Sequence, residues 1–333
     1  MSKLIISLSP HAHGGDSVER NMYNVLLALV PALLVSFYYF GLGSVVVCSV
    51  SVAACVFFEW AITRYMLRRP TTLLDGSACI TGLLLGMNLP SNFPIWMIIV
   101  GALVAIGIGK MTFGGLGCNP FNPAIVGRCF LLVSFPAAMT SWPVAGQQMA
   151  YTDAVTGATP LSLMKTAIKT GDVSVLQGLP DTVDMLLGNV ANGYGAGTIG
   201  EVCALALIAG LIWMLWRRVI TWHIPITILA TVFVLSGALH VANPVYAHPM
   251  AVVLSGGLML GAIFMATDYV TSPMTHRGQV IYAVGIGVLT VVIRNWGSYP
   301  EGMSFAILIM NAFTPLINMY VKPKRFGEVL VNE

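Results

Sequence analysis

The sequence predicts an all-α polytopic membrane protein with about ten transmembrane helices, and three observations support this fold class. Hydrophobic residues make up 57% of the 333 residues and charged residues only 9%, whereas about a quarter of the residues in a soluble domain are charged. Apolar runs of about 18 residues or more recur, which is the length that crosses a bilayer as a helix. The runs are continuous rather than alternating, which excludes an outer-membrane β-barrel.

Ten apolar segments are predicted to span the membrane lipid. They cover residues 24–40, 44–63, 76–90, 94–110, 122–139, 199–216, 222–240, 249–267, 278–295 and 302–320. The third and fourth are short, and an Asn-, Ser- and Pro-rich segment at 88–94 separates them. Five parts follow: an N-terminal segment (1–23), a first membrane half (24–139), a polar loop (140–198), a second membrane half (199–320) and a tail (321–333).

Lysine and arginine indicate the orientation, because they are concentrated in cytoplasmic loops. They follow the even-numbered spans, and we therefore expect both termini in the cytoplasm and loop 140–198 on the extracytoplasmic face. The modest net charge of +3, clustered in short loops, argues against nucleic-acid binding. The residues concerned are Lys3, Arg20, Arg64, Arg68, Arg69, Lys110, Arg217, Arg218, Arg277, Lys322, Lys324 and Arg325.

The two halves resemble each other at one position. Residues 81–87 in the third span and residues 255–261 in the eighth share a pattern of Gly, Leu and Met. An odd number of spans per half would invert the second half, and inverted repeats commonly form a pathway at their interface. Chance remains the alternative, because apolar segments share Gly and Leu for trivial reasons.

Polar residues at the membrane edge are costly and often functional. Asp75 opens the third span, where a carboxylate either caps the helix or serves a site. Asp268 closes the eighth span, three residues before Thr271, and a carboxylate at a helix C-terminus opposes the helix dipole. We therefore expect Asp268 to pair with Arg277 or to bind a ligand.

Two further charged residues lie within predicted spans. Arg128, early in the fifth span, either extends to the interface or faces a cofactor or partner. Glu59 lies near the end of the second span, and an ion pair with Arg64, five residues later, is its simplest interpretation.

Residues 113–123 form a loop of Gly, Asn and Pro that contains Asn119 and Asn122. Irregular backbone at membrane depth is tolerated only where protein or a cavity covers it. The glycines leave room for a planar ring or a phosphate, but their spacing and the absence of a preceding strand exclude a Rossmann site.

Metal and hydrolase chemistry are not predicted. The six cysteines lie mostly in apolar runs without a CxxC pair, so we expect no Fe–S centre on this chain. The histidines, including His11 and His13, lack metal-ligand spacing, and no nucleophile elbow is present. We assign no catalytic residue.

Residues 153–159 read Asp-Ala-Val-Thr-Gly-Ala-Thr and lie within the long polar loop. The small residues Gly157 and Ala158 precede Thr159, and Pro160 stiffens the chain behind it. We expect the Thr159 hydroxyl to be accessible for covalent attachment, although the same residues also suit an ordinary turn.

Taken together, the motifs resemble those of the NqrB/RnfD family of membrane subunits, found in the Rnf ferredoxin:NAD oxidoreductase and in the sodium-pumping NADH:quinone reductase. The resemblance runs along almost the whole chain. It rests on residues 9–11, 75–77, 81–84, 114–117, 121–124, 127–128, 153–159, 267–268, 271–273, 299–302, 305–308 and 310–311.

The resemblance implies FMN joined to Thr159 by a phosphoester. Asp153, Thr156, Gly157 and Ala158 would then be read by a separate flavin transferase. It also implies a second, non-covalent flavin, such as riboflavin, among the helices. Candidate residues for that region are Asp75, Asn119, Asn122, Arg128, Asp268 and Thr271.

The resemblance further implies a translocase subunit that transfers electrons within a complex. Partners would be other membrane subunits, a second flavinylated subunit, and Fe–S and NAD-binding subunits. Electron flow between reduced ferredoxin and NAD would be coupled to Na⁺ or H⁺ movement. A channel or solute transporter with inverted repeats, and a structural subunit with an unmodified Thr159, are the alternatives.

Overall fold

The computed structural model describes residues 17–69, 73–188, 195, 197–299 and 301–322. The motif at residues 9–11, both N-terminal histidines, most of the predicted N-terminal segment and most of the predicted tail lie outside these ranges. Within them the regular structure is helical, and the β contacts are two isolated bridges, Pro143–Thr156 and Val144–Gly195. The five-part division of the chain stays a prediction.

Fourteen α-helices follow one another along the described residues. They are α1 (Val18–Phe40), α2 (Leu42–Ala61), α3 (Ser77–Met87), α4 (Ile95–Leu103), α5 (Pro123–Ser134), α6 (Pro136–Met139), α7 (Pro160–Thr170), α8 (Thr182–Leu187), α9 (Ala204–Trp216), α10 (His223–Ala242), α11 (Pro249–Leu254), α12 (Leu258–Leu260), α13 (His276–Trp296) and α14 (Met303–Tyr320). Single π-helical turns continue α2 over Ile62–Met66, α4 over Val104–Ile108 and α12 over Gly261–Met265.

Six helical segments in the described part of the chain are long and apolar enough to cross a membrane. They are Val18–Phe40, Leu42–Met66, Ile95–Phe113, His223–Ala242, His276–Trp296 and Met303–Tyr320. Together with the shorter apolar helices, they confirm the prediction of an all-α polytopic membrane protein.

The other four predicted spans contain helix but are shorter or broken. Helices α3, α5 and α9 have 11, 12 and 13 residues, or roughly 16–20 Å at 1.5 Å per residue, against about 30 Å of hydrocarbon. The eighth span is interrupted between α11 and α12, at residues 255–257. The third span of each half is therefore short or broken, but so are the fifth and sixth spans; the internal repeat and the inversion of the second half stay predictions.

Glycines allow neighbouring helices to pack with their backbones in close contact. A Cβ atom at Gly82 of α3 would lie 2.6 Å from the Cα atom of Val52 in α2, and one at Gly210 of α9 would collide with the carbonyl oxygen of Ala28 in α1. In lipid, where apolar burial between helices contributes little, such small-residue contacts drive helix association.

The loops gather at two ends of the helical bundle. At one end, Tyr23 Oη donates to the Leu74 carbonyl, and the Met274 amide donates to Asn318 Oδ1 at 3.1 Å. This end, formed by the start of α1, the residues just before α3, loops 217–222 and 266–275 and the end of α14, is called the basic end here because it carries Arg217, Arg218 and Arg277.

The opposite end is built around the long loop and is called the Thr159 end. The Leu42 amide donates to the Gln148 carbonyl at 2.8 Å, and the Ile199 amide donates to the Leu89 carbonyl at 3.1 Å. The long loop thus lies at the opposite end of the bundle from the basic segments, as the charge pattern predicts. Which end faces the cytoplasm stays a prediction.

Candidate functional site

Thr159 is the N-cap of α7. Its Oγ1 accepts a hydrogen bond from the Ser162 amide at 3.2 Å, and Pro160 occupies the first helical turn. The residue is only 6% exposed, so the expectation of an accessible hydroxyl is wrong for the folded loop. The capping bond buries this hydroxyl, whereas Asp153, Thr156 and Ala158 in the same motif are exposed.

Backbone hydrogen bonds fix the motif on both sides. The Gly157 amide donates to the Trp142 carbonyl at 2.9 Å, and the Gly195 amide donates to the Ala158 carbonyl at 3.1 Å. A Cβ atom at Gly195 would collide with the Gly157 carbonyl oxygen, so the close approach requires glycine there. The motif is thus held between Trp142 on one side and Gly195 on the other, and these contacts fix where α7 begins.

Lys165, one and a half turns into α7, anchors this helix to the second half. Its Nζ donates to the carbonyl oxygens of Gly297 at 2.6 Å and of Tyr299 at 2.7 Å. Burial, and secondarily the charge of Lys169, lower the pKa of Lys165. The helix that Thr159 caps is therefore bonded to the segment that precedes Glu301.

A cavity lies beside Thr159 and is called the Thr159 cavity. It leaves about 40 Å³ for the centres of water molecules, which is room for a few, since one needs about 10–15 Å³. Its lining includes residues of the long loop, the end of α11 with the break that follows it, and two carboxylates. The polar or small residues around it include Thr159, Gly197, Glu201, Ser255, Gly256 and Glu301.

Arg128 forms a buried ion pair with Glu301 at the base of this cavity. Its Nη2 donates to Glu301 Oε2, and its Nη1 donates to Asn88 Oδ1 at 2.6 Å and to Ser304 Oγ at 2.9 Å. Arg128 is 2% exposed, so it does not extend to the interface as one of the two expectations had it. Glu301 and Ser304 belong to the second half, and the guanidinium therefore joins the two halves of the protein.

A second arginine approaches the same cavity from α13. Arg294 Nη1 donates to the Val252 carbonyl at 2.8 Å, and its Nη2 donates to the Ser255 carbonyl at 3.0 Å. These are the carbonyls that the break between α11 and α12 leaves without helical partners. A buried arginine thus satisfies a helix end inside the membrane protein.

A second cavity lies at the basic end and is called the basic-end cavity. It leaves about 90 Å³ for the centres of water molecules. It is lined by three of the predicted site residues, Asn119, Asn122 and Asp268. Apolar side chains from α1, from α3 and from the π-helical turn Gly261–Met265 complete its walls. Asn122 also caps α5 and donates to the Met265 carbonyl at 3.2 Å, which links the two halves.

Asp268 hydrogen-bonds within its own turn. Its Oδ2 accepts from Thr271 Oγ1 at 3.2 Å, and its Oδ1 accepts from the Val270 amide at 3.5 Å. The structure shows no ion pair between Asp268 and Arg277 in the described part of the chain, so that expected pairing is wrong. The turn supplies the partners at the helix end, and the carboxylate remains at the cavity wall.

Glu59 pairs with Lys110 rather than with Arg64, which corrects the sequence-based expectation. Lys110 Nζ lies 2.6 Å from Glu59 Oε2 and donates to Ser77 Oγ at 2.7 Å. Ser77 donates its hydroxyl to Asp75 Oδ1 at 2.6 Å and its amide to the same oxygen at 2.9 Å. Asp75 thus accepts from the first amide of α3, although the N-cap residue is Gly76. Lys110 is 2% exposed, so it is not a surface charge.

The predicted site residues thus divide between the two cavities. Asn119, Asn122 and Asp268 share the basic-end cavity, and Asp75 and Thr271 contact residues there, whereas Arg128 and Thr159 lie at the Thr159 end. The model of one family, described as NQR2, RnfD, RnfE, matches residues 5–327. The chain belongs to the NQR2, RnfD, RnfE family.

Curated relatives within the NQR2, RnfD, RnfE family match nearly the full length, and each is named as a component of an ion-translocating complex. The chain is 44% identical to a component of the Na(+)-translocating ferredoxin:NAD(+) oxidoreductase complex of Acetobacterium woodii, over 97% of this chain and 95% of that protein. It is 40% identical to the proton-translocating counterpart of Clostridium ljungdahlii, over 97% and 96%. It is 38% identical to a component of the ion-translocating oxidoreductase complex of Stutzerimonas stutzeri, over 94% and 93%.

The family was predictable from the motifs, but several polar residues of the site were not. Glu201 and Arg294 drew no attention in the sequence, and Glu301 appeared only as part of a family motif. The available signal was a charge inside or beside an apolar span, which is costly in lipid and so implies a partner. The pairing itself joins residues 173 positions apart, and spacing along the chain cannot show it.

Proposed function

We propose that this member of the NQR2, RnfD, RnfE family is the RnfD-type component of an ion-translocating ferredoxin:NAD oxidoreductase complex and carries FMN on Thr159. The observation that carries the proposal is the position of Thr159: the last residue of the Asp-x-x-Thr-Gly-Ala-Thr motif caps a helix beside a polar cavity. The names of the relatives support membership of such a complex.

The surroundings of Thr159 fit an attached phosphate. The hydroxyl oxygen lies at the N-terminus of the 11-residue helix α7, where backbone N–H groups and the helix dipole favour negative charge. The Thr159 cavity holds only a few waters, so an isoalloxazine ring would lie outside it, near the exposed residues Asp153, Thr156 and Ala158. There it would be within reach of a partner.

A covalent tether keeps the flavin at a high local concentration whatever its affinity. Bound there, the flavin would supply the redox chemistry, while the chain positions its attachment point. With both termini in the cytoplasm of the bacterial inner membrane, Thr159 faces outward. Electrons between cytoplasmic ferredoxin and NAD would then cross the membrane and return, through a second flavinylated subunit and Fe–S and NAD-binding partners.

For the second, non-covalent flavin we propose the basic-end cavity. The amides of Asn119 and Asn122 and the hydroxyl of Thr267 offer hydrogen bonds along one side, and Leu84 and Phe264 supply apolar walls. Ligand sites commonly combine such walls with a few polar groups, and this donor set suits the polar edge of a flavin ring. Arg128 lies at the other cavity and drops out of this proposal.

In-gel fluorescence tests the covalent flavin. The chain is co-expressed with an active flavin transferase, and the denatured polypeptide is expected to fluoresce under blue light. Thr159→Ala should abolish the band, because it removes the only oxygen proposed to carry the phosphate. Thr166→Ala is the matched control, since this exposed hydroxyl lies on the same helix. A dark wild-type band would refute the attachment.

A channel or solute transporter is the second candidate, favoured by the broken eighth span and the short third span. Discontinuous helices in corresponding positions of two halves are typical of transporters. Ferredoxin-driven ion uptake into membrane vesicles separates the two. A redox pump loses uptake in the Thr159→Ala variant, whereas a channel conducts with or without the flavin. Sodium dependence of the uptake identifies the coupling ion.

Thiol labelling tests the orientation. Cys118 is exposed in the loop at the basic end, and we expect a membrane-impermeant maleimide to label it in inside-out vesicles but not in intact spheroplasts. A cysteine introduced at the 89% exposed Met149 should give the opposite pattern, and Cys118→Ser should remove the first signal. The reverse result would overturn the proposed topology.

A further inference from the structure

Two carboxylates converge in the Thr159 cavity. Glu201 precedes α9 and Glu301 precedes α14, and both line the cavity that Thr159 lines. A Cβ atom at Gly257 would collide with Glu301 Oε1, and it would lie 3.3 Å from Glu201 Oε1 and 3.4 Å from Arg128 Nη1. One point in space is thus close to an oxygen of each carboxylate, and it is free of side-chain atoms because residue 257 is glycine.

One of these oxygens has no hydrogen-bond partner among the described residues. Glu301 is 8% exposed, and while its Oε2 receives the bond from Arg128, its Oε1 accepts none. Unpartnered buried carboxylate oxygens are costly. An oxygen of this kind, facing a cavity large enough for water, is therefore suited to hold a small cationic ligand.

The charges around the cavity favour a proton as that ligand. Arg128 from α5 bonds directly to Glu301, so one cation is paired with the two carboxylates. Arg294 from α13 and Lys165 of α7 direct their charges to backbone carbonyls instead. Two carboxylates converging in low dielectric hold one proton between them more readily than a single one does.

We propose that the Glu201–Glu301 pair is a proton-binding site that takes up one proton when negative charge is added to the group on Thr159. The inference rests on the proposed function, since the added charge is that of the flavin. When two electrons reach the flavin, a hydronium ion from the outer aqueous phase transfers its proton to one carboxylate oxygen. One O–H bond of hydronium breaks, one O–H bond forms on the carboxylate, water is released and the electrons stay on the flavin.

A redox titration of the Thr159 flavin in the purified complex tests this site. The midpoint potential is followed with dithionite at several pH values near neutrality. We expect the wild-type potential to fall with pH more steeply than that of Glu201→Gln. The two slopes should differ by about 30 mV per pH unit. This is the shift in potential that a tenfold change in proton concentration causes when a two-electron couple takes up one extra proton.

Two further variants control the titration. Glu201→Asp keeps a titratable group and should keep the steep slope, and Asp181→Asn, an exposed carboxylate in the same loop, should match wild type. Equal slopes in wild type and Glu201→Gln, with the flavin attached in both, would overturn the inference and leave the proposed function standing. A wild-type chain without flavin would overturn both.

An infrared measurement covers the case in which Glu201→Gln does not assemble. The reduced-minus-oxidised difference spectrum of the wild-type complex should contain a new carboxylic-acid C=O band. The band should be absent from the spectrum of the Thr159→Ala complex, which lacks the electron acceptor. A wild-type spectrum without that band would refute proton uptake by the pair.

Discussion

The two buried ion pairs of this protein differ in what they connect. Lys110–Glu59 joins two segments of the first half beside the basic-end cavity, whereas Arg128–Glu301 joins the two halves beside the Thr159 cavity. Each pair leaves one carboxylate oxygen without a partner among the described residues. The carboxylate Glu301 lines the Thr159 cavity, whereas at the basic-end cavity the cation Lys110 is a lining residue and Glu59 is not.

This difference separates a structural role from a chemical one. The Lys110–Glu59 pair continues through Ser77 to Asp75, and it holds the start of α3 against the end of α2. The Arg128–Glu301 pair instead presents its carboxylate to the Thr159 cavity, which water can enter. Buried ion pairs contribute little net stability when intact but are costly to break. The loss of stability when each cation is replaced therefore shows how much of the protein depends on its pair.

Replacement of Arg128 should have the largest effect. Arg128→Leu leaves Glu301 charged and buried, and it also removes the bonds to Asn88 and Ser304. We expect a loss of about 3–5 kcal/mol in the free energy of unfolding, measured by titration of the solubilised protein with a denaturing detergent. The double variant Arg128→Leu/Glu301→Gln should recover part of the loss, and no recovery would mean that the ion pair is not its cause.

Replacement of Lys110 should have a smaller effect. Lys110→Met leaves Glu59 unpaired, and we expect a loss of about 3 kcal/mol, at the lower end of the range for breaking a buried pair. The damage should be confined to the first half, and proteolysis of the solubilised protein should show cleavage near residues 67–76. A loss equal to that of Arg128→Leu, with cleavage in both halves, would remove the contrast between the pairs.

Replacement of Lys165 should have the smallest effect of the three. Lys165→Met removes two hydrogen bonds between a charged amine and backbone carbonyls, and we expect a local loss of about 1.5–3 kcal/mol. Faster hydrogen exchange of the α7 amides would report it. Lys169→Met is the matched control, because Lys169 is exposed on the same helix. Equal exchange in both variants would show that α7 does not depend on this anchor.

Sequence reasoning predicted the fold class and the family, and it located the two ends. Hydropathy is a local property, so the positions of the ten helical segments follow from composition along the chain. The hydropathy pattern overestimated the lengths of α3, α5 and α9. An apolar run shows that a segment is buried but not whether lipid or protein covers it. The Asn- and Pro-rich segment after Met87 and the glycines at 256 and 257 mark the breaks.

The candidate site was predicted in part. Thr159, Asn122 and Asp268 each line a cavity, and their roles as site residues stay predictions. The partners of Glu59, Arg128 and Asp268 were mistaken or left open, because the sequence suggests near neighbours whereas buried charges pair with whatever the fold brings to them. Residues 59 and 110 are 51 positions apart, and no local pattern links them.

The burial of Thr159 has a consequence for the order of biogenesis. In the folded loop Thr159 is only 6% exposed and its hydroxyl accepts the capping bond from Ser162. Under the proposed function, we therefore expect esterification to precede docking of the loop or to accompany its opening. Under the proposed function, a chain that docks early escapes modification, and the ratio of transferase to nascent chain would then limit the yield of competent complexes.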